Sequence, residues 1–171
     1  MIKNIFITGR PGCGKTTLIK EILEELNLNA GGFYTLEIRE KGLRKGFKII
    51  TLEGKEGILA HVNIKSPYKV SKYGVNIKDL EEIGVKSILK ALKENKVIVI
   101  DEIGKQEMCS SKFKKAVILA LNSKNKVLGT IKLTYDLFSD KIKKRKDTVV
   151  FNLTRENKME IKKNVKELIV K

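Results

Sequence analysis

The chain has 171 residues, 42% hydrophobic and 33% charged, and its 36 Lys and Arg against 20 Asp and Glu give a formal charge of +16. That length suits one domain with a buried core, while two cysteines in no paired spacing (Cys13, Cys109) and one histidine (His61) exclude a disulfide scaffold, a histidine-built zinc site and a Ser–His or Cys–His triad. No apolar run approaches the roughly 20 residues of a membrane span, and Lys3 and Asn4 interrupt any apolar leader, so the expectation is a cytoplasmic protein with free thiols and no membrane partner.

Residues 2–8, with the apolar run Ile5-Phe6-Ile7, are expected to form a buried strand, and residues 15–27 a helix with Leu18, Ile22 and Leu26 at helical spacing. Between them Gly9-Arg10-Pro11-Gly12-Cys13-Gly14-Lys15-Thr16 is a complete G-x-x-x-x-G-K-T phosphate loop in the strand–loop–helix context the motif requires. Glycines let successive N–H groups curl around phosphate oxygens, and the helix N-terminus adds partial positive charge. Lys15 can reach the β- and γ-phosphates, and the Thr16 hydroxyl can hold Mg²⁺. All eight loop residues are therefore candidate nucleotide contacts, Lys15 also a catalytic one, and a nucleoside triphosphate is the expected ligand.

The period then changes. Gly32–Ile38 and Leu43–Leu52 alternate around Glu40-Lys41-Gly42, the pattern of a β-hairpin, and Ile58–Ile64 adds a strand ending near Ser66-Pro67. His61 falls on this surface strand. Asp79–Lys93 is an expected amphipathic helix with Leu80, Ile83, Ile88, Leu89 and Leu92 toward the core and Asp79 near its N-cap.

Val97-Ile98-Val99-Ile100 is a run of four β-branched residues, the mark of a parallel strand buried on both faces. It ends on Asp101-Glu102. A carboxylate at the end of such a strand is the Walker B pattern, so Asp101 is the second expected Mg²⁺ ligand, through water. Glu102, next to it, is placed to take a proton from an attacking water and is the candidate general base. Arg10, Lys105 and Arg145 are candidate cations for the γ-phosphate, Arg145 first among them, and Thr130 can sense that phosphate or cap a turn. Helices near Ser111–Leu121, Leu137–Lys144 and Arg155–Val170 and strands near Lys126–Ile131 and Thr148–Leu153 complete an alternating pattern with no internal repeat. Such alternation implies a parallel sheet with helices on both faces.

The net charge admits a nucleic-acid partner, but composition disfavours one. Lys158, Lys162, Lys163 and Lys166 look like a solvated helix face, and 6% aromatic residues with no Trp supply few stacking platforms.

The loop Gly9–Leu18, the segments Gly32–Glu40, Arg44–Ile49 and Lys72–Asn76, the stretch Ile100-Asp101-Glu102-Ile103-Gly104-Lys105 and the turn Leu128–Ile131 together closely resemble the cancer-related nucleoside-triphosphatase family. The resemblance implies an α/β fold: a single P-loop NTPase domain over residues 1–171, mostly parallel, of the additional-strand type, with a β-rich hairpin insertion at about 32–64. It implies Mg²⁺-dependent hydrolysis of ATP, GTP, CTP, UTP and TTP alike. It also implies nucleotide contacts from Ile98, Val99, Ile100, Asp101, Glu102, Ile103, Gly104 and Lys105. Gln106, Lys132-Leu133 and Asn157-Lys158 depart from the family pattern. A small-molecule kinase is the alternative, opposed by having only five arginines in no clustered set, and a nucleotide-switched RNA- or protein-binding module is a third reading.

Overall fold

The computed structural model describes residues 1–171. Strands β1 (Asn4–Thr8), β2 (Ala30–Glu40), β3 (Leu43–Thr51), β4 (Glu56–His61), β5 (Lys69–Val70), β6 (Tyr73–Val75), β7 (Val97–Ile103), β8 (Val127–Ile131) and β9 (Thr148–Asn152) make one nine-stranded sheet. Their spatial order is β5-β6-β4-β3-β2-β7-β8-β1-β9. From β2 to β9 in that order the neighbours pair in parallel, and from β2 to β5 they pair antiparallel. The phosphate-loop strand β1 and the Asp101 strand β7 are thus not adjacent. β8 lies between them, which is the additional-strand arrangement.

Parallel pairs need crossovers, and the helices α1 (Lys15–Glu25), α2 (Ile77–Asp79), α3 (Lys86–Lys93), α4 (Ser111–Asn122) and α5 (Leu137–Lys143) lie in them, while α6 (Lys158–Val170) follows the last strand. A π-helical turn, Leu80–Val85, joins α2 to α3. The period-two alternation of each central strand sends its side chains to two separate cores. Phe6, Ile98, Ile100, Val127 and Ile131 pack under α3, α4 and α5. Ile5, Ile7, Val99 and Leu128 pack under α1 and α6. Both faces are buried because both carry helices, which is why the strands read as continuous apolar runs. No helix is long and apolar enough to cross a membrane.

Four expectations are corrected. The β-rich insertion runs past residue 64, through β5 and β6 to Val75, because two- and three-residue strands are too short to show a period. The helix cap is Asn76, whose side chain accepts the Asp79 N–H, while the Asp79 carboxylate turns back to accept Ile58 N–H at 2.9 Å. Leu89 is exposed, since the turns after the π-helical segment bring Ile88 and Ala91 to the sheet; close approach is visible at Gly84, where a Cβ would stand 2.7 Å from Ile49. The last helix begins at Lys158.

Of Lys158, Lys162, Lys163 and Lys166, Lys163 alone has no acidic partner; the other three pair with Glu21 and Glu25 and clasp α6 onto α1. That face is therefore largely neutralised.

Arg145 forms a bidentate pair with Asp147, Nε to Oδ1 and Nη2 to Oδ2 both at 2.9 Å, and donates to Leu121 O and Asn122 Oδ1 at the end of α4. Asp147 O in turn accepts the N–H groups of Lys3 and Asn4. This knot closes the amino ends of β1, β8 and β9, opposite the phosphate loop at the carboxyl end of β1. Arg145 is therefore a structural residue and not a phosphate contact. The Arg145 guanidinium holds the Asp147 carboxyl down at about 2. A depressed carboxyl contributes stability above its unfolded pKa and loses it as pH falls through the folded value. Asp147→Asn should cost about 1–2 kcal/mol at pH 7, allowing for partial exposure, and urea unfolding should show that difference shrinking between pH 5 and pH 2. A pH-independent difference would assign the cost to shape instead of charge.

Candidate active site

The loop between β1 and α1 needs backbone conformations that side chains resist. Gly9 has φ +151°, and a Cβ there would stand 2.8 Å from Leu153 O and 2.9 Å from Cys13 Sγ. Gly14, at φ +96°, caps α1 with no side-chain hydrogen bond, and the first turn carries no acidic residue. Its N–H groups remain available to an anion. Lys15 Nζ lies over the loop, donating to Gly9 O at 3.1 Å and Arg10 O at 3.2 Å.

Asp101 is where the two halves of the site meet. Its carboxylate is 2% exposed and accepts hydrogen bonds from Thr16 Oγ1 on Oδ2 and from Thr130 Oγ1 on Oδ1, both at 2.5 Å. Burial pushes this carboxyl above its ordinary range against those two hydrogen bonds and the charge of Lys15. Thr130 is itself fully buried in β8. Its hydroxyl spans the gap between β1 and β7 by holding Asp101. The peptide bond from Asp101 to Glu102 is cis.

The oxygen donors of Thr16 and Asp101 suit a hard divalent cation, and no cluster of three or more His, Cys, Asp or Glu side chains offers a protein-only cage. Mg²⁺ is commonly held in this way, by one or two side chains with phosphates and water supplying the rest. The residues present fit that ion.

Glu102 is half-buried, and burial followed by the neighbouring Asp101 charge raises its carboxyl, opposed by Lys15 and Lys132. A carboxyl raised in this way is a stronger base than an exposed one. Beside it lies a group that sequence reasoning missed. Glu107, in the single 3-10 turn Glu107–Cys109, is 3% exposed, and a Cβ on Gly104 would stand 2.6 Å from Glu102 Oε1 and 2.9 Å from Glu107 Oε2. The two carboxyls flank this glycine. Burial, then the Glu102 charge, pushes Glu107 well above the usual carboxylate range.

These residues open onto a cleft of about 1000 Å³. Gly9, Arg10, Pro11, Gly12, Gly14, Lys15 and Thr16 line it on one side, with Asp101, Glu102, Lys105 and Glu107 at its floor. Cys13 faces a neighbouring hollow between the loop and Asn152–Glu156. Ile98, Val99, Ile100 and Ile103 do not reach the cleft, since their fully buried side chains belong to the two cores, and Gly104 does not line it. Within the stretch 98–105, only Asp101, Glu102 and Lys105 are therefore exposed to a ligand there. Lys132 lines the cleft and pairs with Asp136 at 2.8 Å.

The far wall comes from the insertion. Glu37, Arg39, Arg44 and Phe47 of the β2–β3 hairpin and Lys72 and Tyr73 near β6 complete the cleft. Three of the five arginines, Arg10, Arg39 and Arg44, thus share one cavity, which corrects the reading that they are unclustered. The wall was marked in the sequence only by its family-like segments, since no spacing rule joins residues 37–47 to residues 72–73.

A family model described as "NTPase" matches residues 4–166. The chain is 57% identical to "Nucleoside-triphosphatase THEP1" of Thermotoga sp. (strain RQ2), covering 90% of this chain and 88% of that protein. It is 37% identical to the human "Cancer-related nucleoside-triphosphatase", covering 92% of each. The crystal structure of THEP1 from Aquifex aeolicus superposes with a TM-score of 0.89 at 38% identity, covering 98% of this chain and 99% of that one.

Glu107 supports a stability test. A carboxyl raised in the fold contributes stability that is present below its unfolded pKa and lost as pH rises through the folded value. Glutamine cannot ionise. The melting temperature of Glu107→Gln relative to wild type should therefore rise between pH 5 and pH 8, and a flat or falling difference would show that Glu107 is not held neutral by burial.

Proposed function

Since the chain belongs to the NTPase family and is a nucleoside-triphosphatase, we propose that it cleaves the γ-phosphoryl group with Glu102 as the base that takes a proton from the attacking water. The observation that carries this reading is the Asp101 carboxylate joined to the Thr16 hydroxyl, with Glu102 as the next residue at the same cleft. The loop N–H groups and the α1 terminus hold the phosphates, and the Lys15 ammonium faces the charge that builds on the leaving diphosphate. Mg²⁺ would be held by Thr16 and, through water, by Asp101, where it neutralises charge on the β- and γ-oxygens. Asp101 and Glu102 are carried by β7 and Lys15 by the start of α1, and Thr130 of β8 holds Asp101 in register.

Glu102→Gln separates chemistry from binding, because the amide keeps the shape but accepts no proton. Turnover measured by phosphate release should fall about 10² to 10⁴-fold, while affinity for a non-hydrolysable triphosphate analogue changes less than about threefold. Near-normal turnover would remove Glu102 from the base role, and a parallel loss of analogue affinity would make it a metal or structural carboxylate.

The contacts assembled here address phosphate and metal rather than a base. Asn125-Lys126 resembles the start of a base-reading N-K-x-D motif but has Leu128 at its fourth position, and the Asn125 amide donates to Lys96 O at the opposite end of the sheet. ATP, GTP, CTP, UTP and TTP are therefore expected to be hydrolysed with kcat/KM values within about a hundredfold, or roughly 2.7 kcal/mol. A larger spread in a five-nucleotide panel would require a base-reading residue that this cleft does not present.

A further inference from the structure

The fold does not treat the lysines of its two helix layers alike. On the side of the sheet covered by α1 and α6, Glu21 and Glu25 take up three of them. On the other side, α3 and α4 together carry six lysines and no acidic residue. Carboxylates from neighbouring segments reach two of the six, Lys90 through Glu53 at 2.7 Å and Lys112 through Glu81 at 3.6 Å. Lys86, Lys93, Lys114 and Lys115 pair with none, so the positive charge of the chain is concentrated on this layer.

The same layer leaves large apolar side chains in water. Leu89, Ile118 and Leu119 are 40, 38 and 54% exposed. Singly such residues are ordinary, but these three are gathered. Leu89 stands four residues before the end of α3 at Lys93, and Ile118 four before the end of α4 at Asn122. The two helices run side by side into the starts of the parallel strands β7 and β8, which puts these side chains at one level. Lys93 follows Leu89, and Lys115 precedes Leu119, by one helical turn, so cation and apolar group share a stripe.

We propose that the solvent face of α3 and α4 docks on an anionic lipid bilayer, with Leu89, Ile118 and Leu119 entering the headgroup layer and the unpaired lysines meeting lipid phosphates. Charge complementarity and apolar burial are both satisfied by such a surface, which presents an anionic plane with hydrocarbon just beneath it. Lysine stems can lie along the inserted side chains while their ammonium groups stay at the headgroups. An RNA would meet the lysines but bury none of the three aliphatic residues, and neither helix exposes an aromatic ring on which a base could stack. The expectation of no membrane partner rests on the lack of a spanning run, and surface docking needs none. The phosphate loop and Glu102 open at the carboxyl ends of the strands, off the edge of this layer, so the docked protein keeps its cleft open.

The test mixes the full chain with sedimentable vesicles of phosphatidylglycerol and phosphatidylcholine in equal parts, or of phosphatidylcholine alone, and measures the bound fraction after centrifugation. The chain should bind the first and not the second, more weakly as salt is raised. Lys115→Gln should lower the partition constant about fivefold, and Leu119→Ser at least about threefold. Lys163→Gln makes the same charge change on α6 and should leave binding nearly unchanged. Failure to bind the anionic vesicles overturns the proposal. An equal loss in Lys163→Gln also overturns it, by making the attraction a matter of net charge, and so does undiminished binding in Leu119→Ser, which would point to a purely ionic partner such as RNA. Phosphate release by each variant should stay at the wild-type rate, which reports an intact fold and keeps this result separate from the reading of the cleft; should Leu119→Ser lose it, Ile118→Ser takes its place.

Discussion

The Asp101 carboxylate is the point on which the site depends. A buried anion without hydrogen bonds is costly, and Asp101 is made tolerable by two hydroxyls that come from different elements, Thr16 at the start of α1 and Thr130 in β8. Because β8 separates β1 from β7, no direct ladder joins the phosphate loop to the strand that carries Asp101. The Thr16–Asp101–Thr130 chain does so through side chains. This arrangement also explains why Thr130 is fully buried despite being polar.

The same sheet order divides labour along its width. The parallel strands β7, β8, β1 and β9 gather the phosphate loop, Asp101 and Glu102 at their carboxyl ends, where open α/β sheets place their ligand crevice. The antiparallel strands added beyond β2 extend the sheet sideways and bring Arg39, Arg44 and Phe47 to face the loop. At the opposite, amino ends, Arg145 and Asp147 tie β9 to α4 and to the first residues of the chain. Closure at one end leaves the other free to present loops.

Charge follows the fold in the same way. The formal charge of +16 suggests a cationic surface, yet Glu21 and Glu25 on α1 absorb three lysines of α6, and Glu37 holds two arginines of the insertion. The ion pairs that matter most are those between elements distant in sequence. Meanwhile the three carboxyls Asp101, Glu102 and Glu107 gather at the cleft floor, where burial raises them all. Burying acids together is unfavourable for folding and favourable for a site that handles cations and protons.

By itself the sequence determined whatever is written in local spacing. The phosphate loop needs eight consecutive residues, the β-branched run at 97–100 makes a buried strand wherever it sits, and Asp101 and Glu102 follow that strand covalently, so loop, strand and acid pair were legible before any packing. Tertiary structure decided what depends on partners far along the chain. Whether Arg145 faced phosphate or Asp147, and whether Thr130 met the ligand or Asp101, were questions of strand order that no spacing records. The edge strands β5 and β6 are too short to show a period, and the π-helical turn at Leu80–Val85 sets the register by which Ile88 and Ala91 face the core and Leu89 does not. Arg10, Arg39 and Arg44 lie apart in sequence and share one cleft because an antiparallel insertion folds back across the sheet; a side chain's neighbours are set by pairing register, which becomes defined only when the strands meet.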